Sequence, residues 1–204
     1  VKAIEASLGD TRLIAVIKSD AYGHGLEAVA AALGQSGVTR VAVAYAAEAS
    51  VVRAAVPEAE LILVLGVVNE THVPRLLLDR ITPVLVSAEQ GIRLSHAAVQ
   101  AGGCLPVHLK LDTGMGRLGF ICPEQVSEAA AMAQLPGLDL QGICTHFAMV
   151  EPERKPEPAE IQIRKFREAI PSIEAAVGHR LFRHMSSSRA ALLLPECDQD
   201  AVGI

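Results

Sequence analysis

Lysine, arginine, histidine and serine recur at the ends of short apolar runs in this 204-residue chain. Residues 12–25 read RLIAVIKSDAYGHG: an apolar run delivers Lys18, and Tyr22 and a glycine-flanked histidine follow. In an extended segment Ile14, Val16 and Lys18 share one face. A lysine in an apolar surround is disfavoured as an ammonium, and its free amine is a nucleophile suited to forming a Schiff base. Position by itself favours a lysine that snorkels to a rim.

A second stretch, HLKLDTGMGRLGF, runs from His108 to Phe120. His108, Lys110 and Asp112 alternate with Leu109 and Leu111, so one face is polar and the other apolar. Lys110 and Asp112 could form a structural ion pair. The glycines of TGMGRLG permit tight turns and close approach to a ligand, and Arg117 offers a planar fork for a carboxylate or oxyanion. Two further runs, GICTHF and LFRHMSSS, end in His146 and in His184 followed by three serines. Hydroxyls and amides at a helix start can hold phosphate, and the same serines can be mere helix caps. There is no HExxH and no metal-ligand spacing, so no metal is expected; no GxSxG elbow supports a serine triad.

The elements that must position these groups are strands and helices in alternation. Strands are expected at Leu13–Ile17, Val41–Ala44, Leu61–Leu65, Pro83–Val86, Val107–Leu111, Gln141–Thr145, Leu181–His184 and Ala201–Ile204. Helices are expected at Leu26–Gln35, Ala46–Ala55, Glu70–Asp79, Ala88–Ala101, Pro123–Ala133 and Glu160–Val177. This pattern predicts an α/β fold with a parallel sheet, read as a (β/α)8 TIM-type barrel, with an open doubly wound sheet as the alternative. No GxGxxG follows the first strand. EPERKPEP, Glu151 to Pro158, reads as a solvated loop. In a barrel of this kind Lys18, Arg117, His146 and His184 all fall at strand ends or in the loops after them, where such folds keep their sites.

Half the residues are hydrophobic, enough for a sizeable core, while aromatics are 3% and tryptophan is absent. With a net charge of -5, this composition argues against a nucleic-acid partner. Cys104, Cys122, Cys144 and Cys197 lack CxxC spacing and fit free thiols of a reducing compartment. Apolar runs are too short to span a bilayer, and no signal peptide is evident. A cytoplasmic protein without a membrane span is expected. The chain starts in a helical pattern and stops in an apolar segment, so residues 1–204 are read as one barrel domain, incomplete at both ends.

Taken together, VIKSDAYGHG, HLKLDTGMGRLG, THF and RHMSSSRAALLLPE resemble, in order and spacing, the alanine racemase family of barrel-type pyridoxal-phosphate enzymes. The resemblance spans nearly the whole chain and covers the barrel only; the family's C-terminal β domain is absent. It implies a homodimer that interconverts L- and D-alanine, a small-molecule amino-acid substrate, for D-alanine supply to the cell wall. By resemblance, Lys18 carries pyridoxal 5'-phosphate as an internal aldimine and serves as one of two acid-base groups. Lys110 matches a lysine often carbamylated, whose carbamate would hold Arg117, and Arg117 would bind the cofactor phenolate and the substrate carboxylate. Tyr22, Ser188, Gly203 and Ile204 would contact the phosphate, and His146 would lie beside the ring. His184 resembles a histidine supporting an arginine at the pyridine nitrogen, an arginine missing from CDQDAVGI. Ser187 stands where the family has an asparagine. The family's second base is a tyrosine of the partner subunit's β domain. Two other readings stay open: a non-catalytic pyridoxal-phosphate-binding barrel, and a racemase of serine or basic amino acids.

Overall fold

The computed structural model describes residues 1–151, 153, 158–185, 187–193 and 200–204. Most of the expected loop 151–158, Ser186 and Cys197 lie outside the described residues. Nine strands form among those described: β1 (Arg12–Val16), β2 (Arg40–Val43), β3 (Leu61–Val64), β4 (Thr82–Leu85), β5 (Leu105–Asp112), β6 (Phe120–Ile121), β7 (Leu138–Thr145), β8 (Phe182–Met185) and β9 (Ala201–Gly203). They pair in parallel in the order β4-β3-β2-β1-β9-β8-β7-β5, and β4 pairs with β5 to close the ring. The short β6 adds outside that ring, against β5. The result is a closed eight-stranded parallel barrel, and the open doubly wound alternative is overturned by the β4–β5 pairing.

Strand periodicity divides the apolar residues between two layers. Ile14, Ala42, Leu63, Val84, Cys144 and Ala201 meet inside the barrel. Val41, Val43, Ile62, Val64, Leu109 and Leu111 face outward into the larger core beneath the helices. Both faces are dry, which explains why these strands read as apolar runs rather than as an alternation.

Element bounds differ from the expectation where a charge or a proline intervenes. β7 starts at Leu138 instead of Gln141, because Leu138 and Leu140 are buried on either side of Asp139. The expected Glu70–Asp79 helix is a 3-10 turn, Glu70–His72, followed by an α-helix, Val73–Leu78. Pro74 lies in the first turn of that helix, where its missing N–H costs no bond. The regular part of the expected Pro123–Ala133 helix is Val126–Ala131, and the last long helix runs Pro158–Val177.

One polar layer interrupts the barrel interior. His108 and His184 are buried, and their rings stack at tilted angles with Phe182 at centroid separations of 5.0 to 6.0 Å. Room for His108 comes from Gly142, its register partner on β7. A Cβ at Gly142 would sit 2.5 Å from the His108 ring. Gly142→Ala is therefore expected to lower stability by about 1–3 kcal/mol, the usual cost of overpacking. Denaturant unfolding of the two chains measures it; equal midpoints would show that the ring moves aside freely.

Candidate active site

Parallel closure gathers every strand's carboxyl end on one rim. β1 ends at Val16, one residue before Ile17 breaks from the extended conformation, so Lys18 opens the turn instead of closing the strand. The turn is unusual. Ser19, Asp20, Ala21 and Tyr22 all have φ between 52° and 56°, a single left-handed turn built without glycine. Such residues each cost about 1–2 kcal/mol in this conformation, so surrounding bonds must fix them. Asp20 Oδ1 accepts the Leu26 N–H at 2.7 Å and ties the turn to the following helix. The Glu48 carboxylate, from the start of the Ala46–Ala55 helix, accepts the Ser19 and Asp20 N–H groups at 2.7 and 3.3 Å. Lys18 itself is half-buried.

β5 carries the next groups. His108 and Lys110 are buried in the barrel interior, as their alternation with the outward leucines requires. Lys110 finds no acid and no hydrogen-bond partner among the described residues. Asp112 does not pair with it. Its carboxylate instead accepts the backbone N–H groups of Gly114, Gly116 and Arg117 at 2.9 to 3.0 Å, shaping the glycine-rich turn. Burial pushes the Asp112 carboxyl up, but its ring of backbone donors outweighs that and holds it below the usual carboxylate range. Arg117 is exposed at the rim, and its guanidinium is unpaired among the described residues.

The loops after β5 and β7 are braced by Gln162. Its Nε2 donates to Thr113 Oγ1 (3.0 Å) and to the His146 carbonyl (3.1 Å), and its Oε1 accepts the Ala148 N–H (2.9 Å). Thr113 and Thr145 share a hydroxyl bond at 2.8 Å. After β8, Ser187 Oγ accepts the Ala190 N–H and Ser188 opens the Ser188–Leu193 helix. Among the described residues, Ser187 thus has the capping role. At β9 the Ile204 N–H already donates to the Ile14 carbonyl at 3.1 Å. That bond ties Ile204 to β1, and both Gly203 and Ile204 line the rim above it.

These elements enclose a cleft of about 310 Å³. Every residue singled out in the sequence as catalytic or cofactor-binding lines it: Lys18, Tyr22, Lys110, Arg117, His146, His184, Ser188, Gly203 and Ile204. Its floor is apolar, with Ile14, Val16, Ala42 and Leu63. Cys144 at that floor is pushed up to about 11 by burial, against a smaller opposing pull from Lys110, so its thiol packs as a neutral group. Sequence reasoning missed Glu48 and Gln162. Each sits in an amphipathic helix, where an acid in the first turn or a single glutamine looks like ordinary helical decoration.

The family model described as alanine racemase, N-terminal domain, matches residues 1–204. The chain belongs to this family. It is 34% identical to the alanine racemase of Syntrophobacter fumaroxidans over 199 residues, covering 98% of this chain and 52% of the relative. The Clostridium kluyveri alanine racemase is likewise 34% identical, over 98% of this chain and 52% of its own length. Among solved structures, the Clostridium difficile alanine racemase in complex with cycloserine superposes with a TM-score of 0.89 at 31% identity, covering 99% of this chain and 56% of that one. The alanine racemase from Streptomyces lavendulae gives 0.89 at 28% identity, with 99% and 53% covered. The chain spans about half the length of the relatives it matches. No helix among the described residues is long and apolar enough to cross a membrane.

Where His184 lines the cleft, its Nε2 lies 2.8 Å from the Nδ1 of His108 in the barrel interior. Burial, then the facing His184, pushes His108 well below the ordinary histidine value; burial, then Lys110, brings His184 to about 4. Both imidazoles are neutral when folded and take up a proton near the ordinary value of about 6.5 when unfolded. Their contribution is complete above pH 6.5 and is lost as pH falls toward 4, by up to about 1.4 kcal/mol per pH unit for each ring. Unfolding midpoints from pH 8 to 4 are expected to stay level and then fall. His108→Gln should flatten that fall, and an identical slope would remove the pair as its cause.

Proposed function

We propose that this chain is the pyridoxal-phosphate-binding barrel of an enzyme that interconverts L- and D-alanine. The observation that carries the reading is the convergence of Lys18, Lys110 and Arg117 on one cleft with an apolar floor. The donor set fits the cofactor. The floor suits a flat ring, and Arg117 and Lys110, unpaired among the described residues, suit an anionic ligand. Ser188, Tyr22 and Gly203, which also line the cleft, supply polar atoms for a phosphate. Lys18 Nζ is the attachment point for the aldehyde carbon.

When bound, pyridoxal phosphate delocalises the charge left at the substrate's α carbon after its proton is removed. The remaining work falls to this chain's own groups. Lys18 Nζ takes and returns the α-proton on one face. Arg117 grips the substrate carboxylate, and its planar fork fixes the amino acid's orientation. Lys110 is buried with no acid beside it among the described residues, an expensive setting for a charged side chain. Condensation of its neutral amine with carbon dioxide, with loss of a proton, gives a carbamate anion that faces Arg117 and removes the mismatch. His146 borders the ring. Racemisation needs a second proton-transfer group on the opposite face, which the family resemblance assigns to a tyrosine of the partner subunit in a cytoplasmic homodimer.

The test begins with the visible spectrum of the chain mixed with pyridoxal phosphate. A band that disappears in Lys18→Ala, and borohydride reduction that leaves the label on Lys18, are the expected results. No band, or one unchanged in Lys18→Ala, would overturn the cofactor assignment. In the homodimer, loss of this proton-transfer group should lower turnover of both alanine enantiomers by ~10²–10⁴-fold. Binding without exchange of the α-proton in that homodimer would favour a non-catalytic carrier.

A further inference from the structure

We propose that Glu48 is a positioning residue for Lys18, joining the first and second strand-to-helix loops through one carboxylate. The inference rests on the function proposed above and deepens it. Oε1 accepts the N–H groups of Ser19 (2.7 Å) and Asp20 (3.3 Å); Oε2 accepts those of Ala44 (2.9 Å) and Tyr45 (3.2 Å). One oxygen therefore serves the left-handed turn, and the other serves the end of β2 and the cap of the Ala46–Ala55 helix. The backbone of Lys18 is held from both sides by this second unit: the Ile17 N–H donates to the Ala42 carbonyl at 2.9 Å, and the Ser19 N–H donates to Glu48.

The charge distribution explains why the residue is a glutamate. Four backbone donors converge on it, and only an acceptor with two oxygens satisfies both pairs. The four left-handed residues after Lys18 oppose their own backbone preference. Released from Glu48, the turn relaxes toward ordinary conformations, and the direction in which Lys18 leaves the strand changes with it. Glutamine keeps the size of the side chain but replaces one acceptor oxygen by a donor amide, so it can serve one pair and must abandon the other. Aspartate is one methylene shorter and cannot span the two pairs at these distances.

The test compares the unaltered chain with Glu48→Gln and, as a second variant, Glu48→Ala. Amide hydrogen exchange is read without cofactor. One of the two amide pairs, 19–20 or 44–45, should exchange at least roughly tenfold faster in Glu48→Gln, and both pairs in Glu48→Ala. Capture of pyridoxal phosphate on Lys18, measured by borohydride trapping and peptide mapping, should slow by roughly tenfold, since a misplaced nucleophile loses its orientation. Unchanged exchange at all four amides overturns the proposal. Faster exchange with unchanged capture also overturns it, leaving Glu48 a purely structural group. If the unaltered chain captures no cofactor, the function proposed above fails. Glu48 is then judged on exchange together with the rate of Lys18 acylation by a small anhydride, where equal rates overturn its positioning role.

Discussion

Parallel closure is the constraint on which everything else in this molecule depends. The β4–β5 pairing turns a row of strands into a ring, and because each strand runs the same way, all carboxyl ends face one rim. Groups separated by almost the whole sequence, Lys18 after β1 and Ser188 after β8, then share one cleft. The interior cannot also be a pore. It is filled by Ile14, Leu63 and Val84 below and by the histidine pair further around the ring, and the cleft exists only above that filling.

The polar interior follows from the same geometry. A residue that points inward at the middle of a barrel strand is dehydrated whatever its chemistry. His108 and His184 satisfy one another at 2.8 Å and remain neutral, whereas Lys110, which lines the cleft beside His184, finds no such partner among the described residues. The difference between a structural polar group and a reactive one is here a matter of whether its neighbours satisfy it. Asp112, clothed by the backbone donors of its own turn, belongs with the structural set.

Much of this was legible in the sequence because the relevant signals are local. The apolar runs gave the barrel strands to within a few residues, and the polar face His108–Lys110–Asp112 pointed inward as alternation demands. Three things were not legible. The left-handed turn after Lys18 uses serine, aspartate, alanine and tyrosine, none of which announces a positive φ as glycine does. Glu48 and Gln162 act across loops that are neighbours only once the ring has closed. The occupancy of the Ile204 N–H depends on β9 pairing with β1, a contact between the chain's two ends.

The braces on the rim come in two sets that do not touch each other's residues. Glu48 and the close passage of Gly66 past the Ala44 carbonyl (N–H to O, 3.1 Å) lock the loops after β1, β2 and β3. Thr113, Thr145 and Gln162 lock those after β5 and β7. The lysine that opens the first set and the arginine in the second are thus like the two jaws of a caliper, each stiff in itself. Their gap is set by the circumference of the ring, through the short β4, β8 and β9 that connect the jaws. Substitutions on the outer helices away from Glu48 and Gln162 can drift without moving the jaws, whereas a one-residue slip in a connecting strand resets the gauge, which leaves these short, inconspicuous strands little freedom to vary.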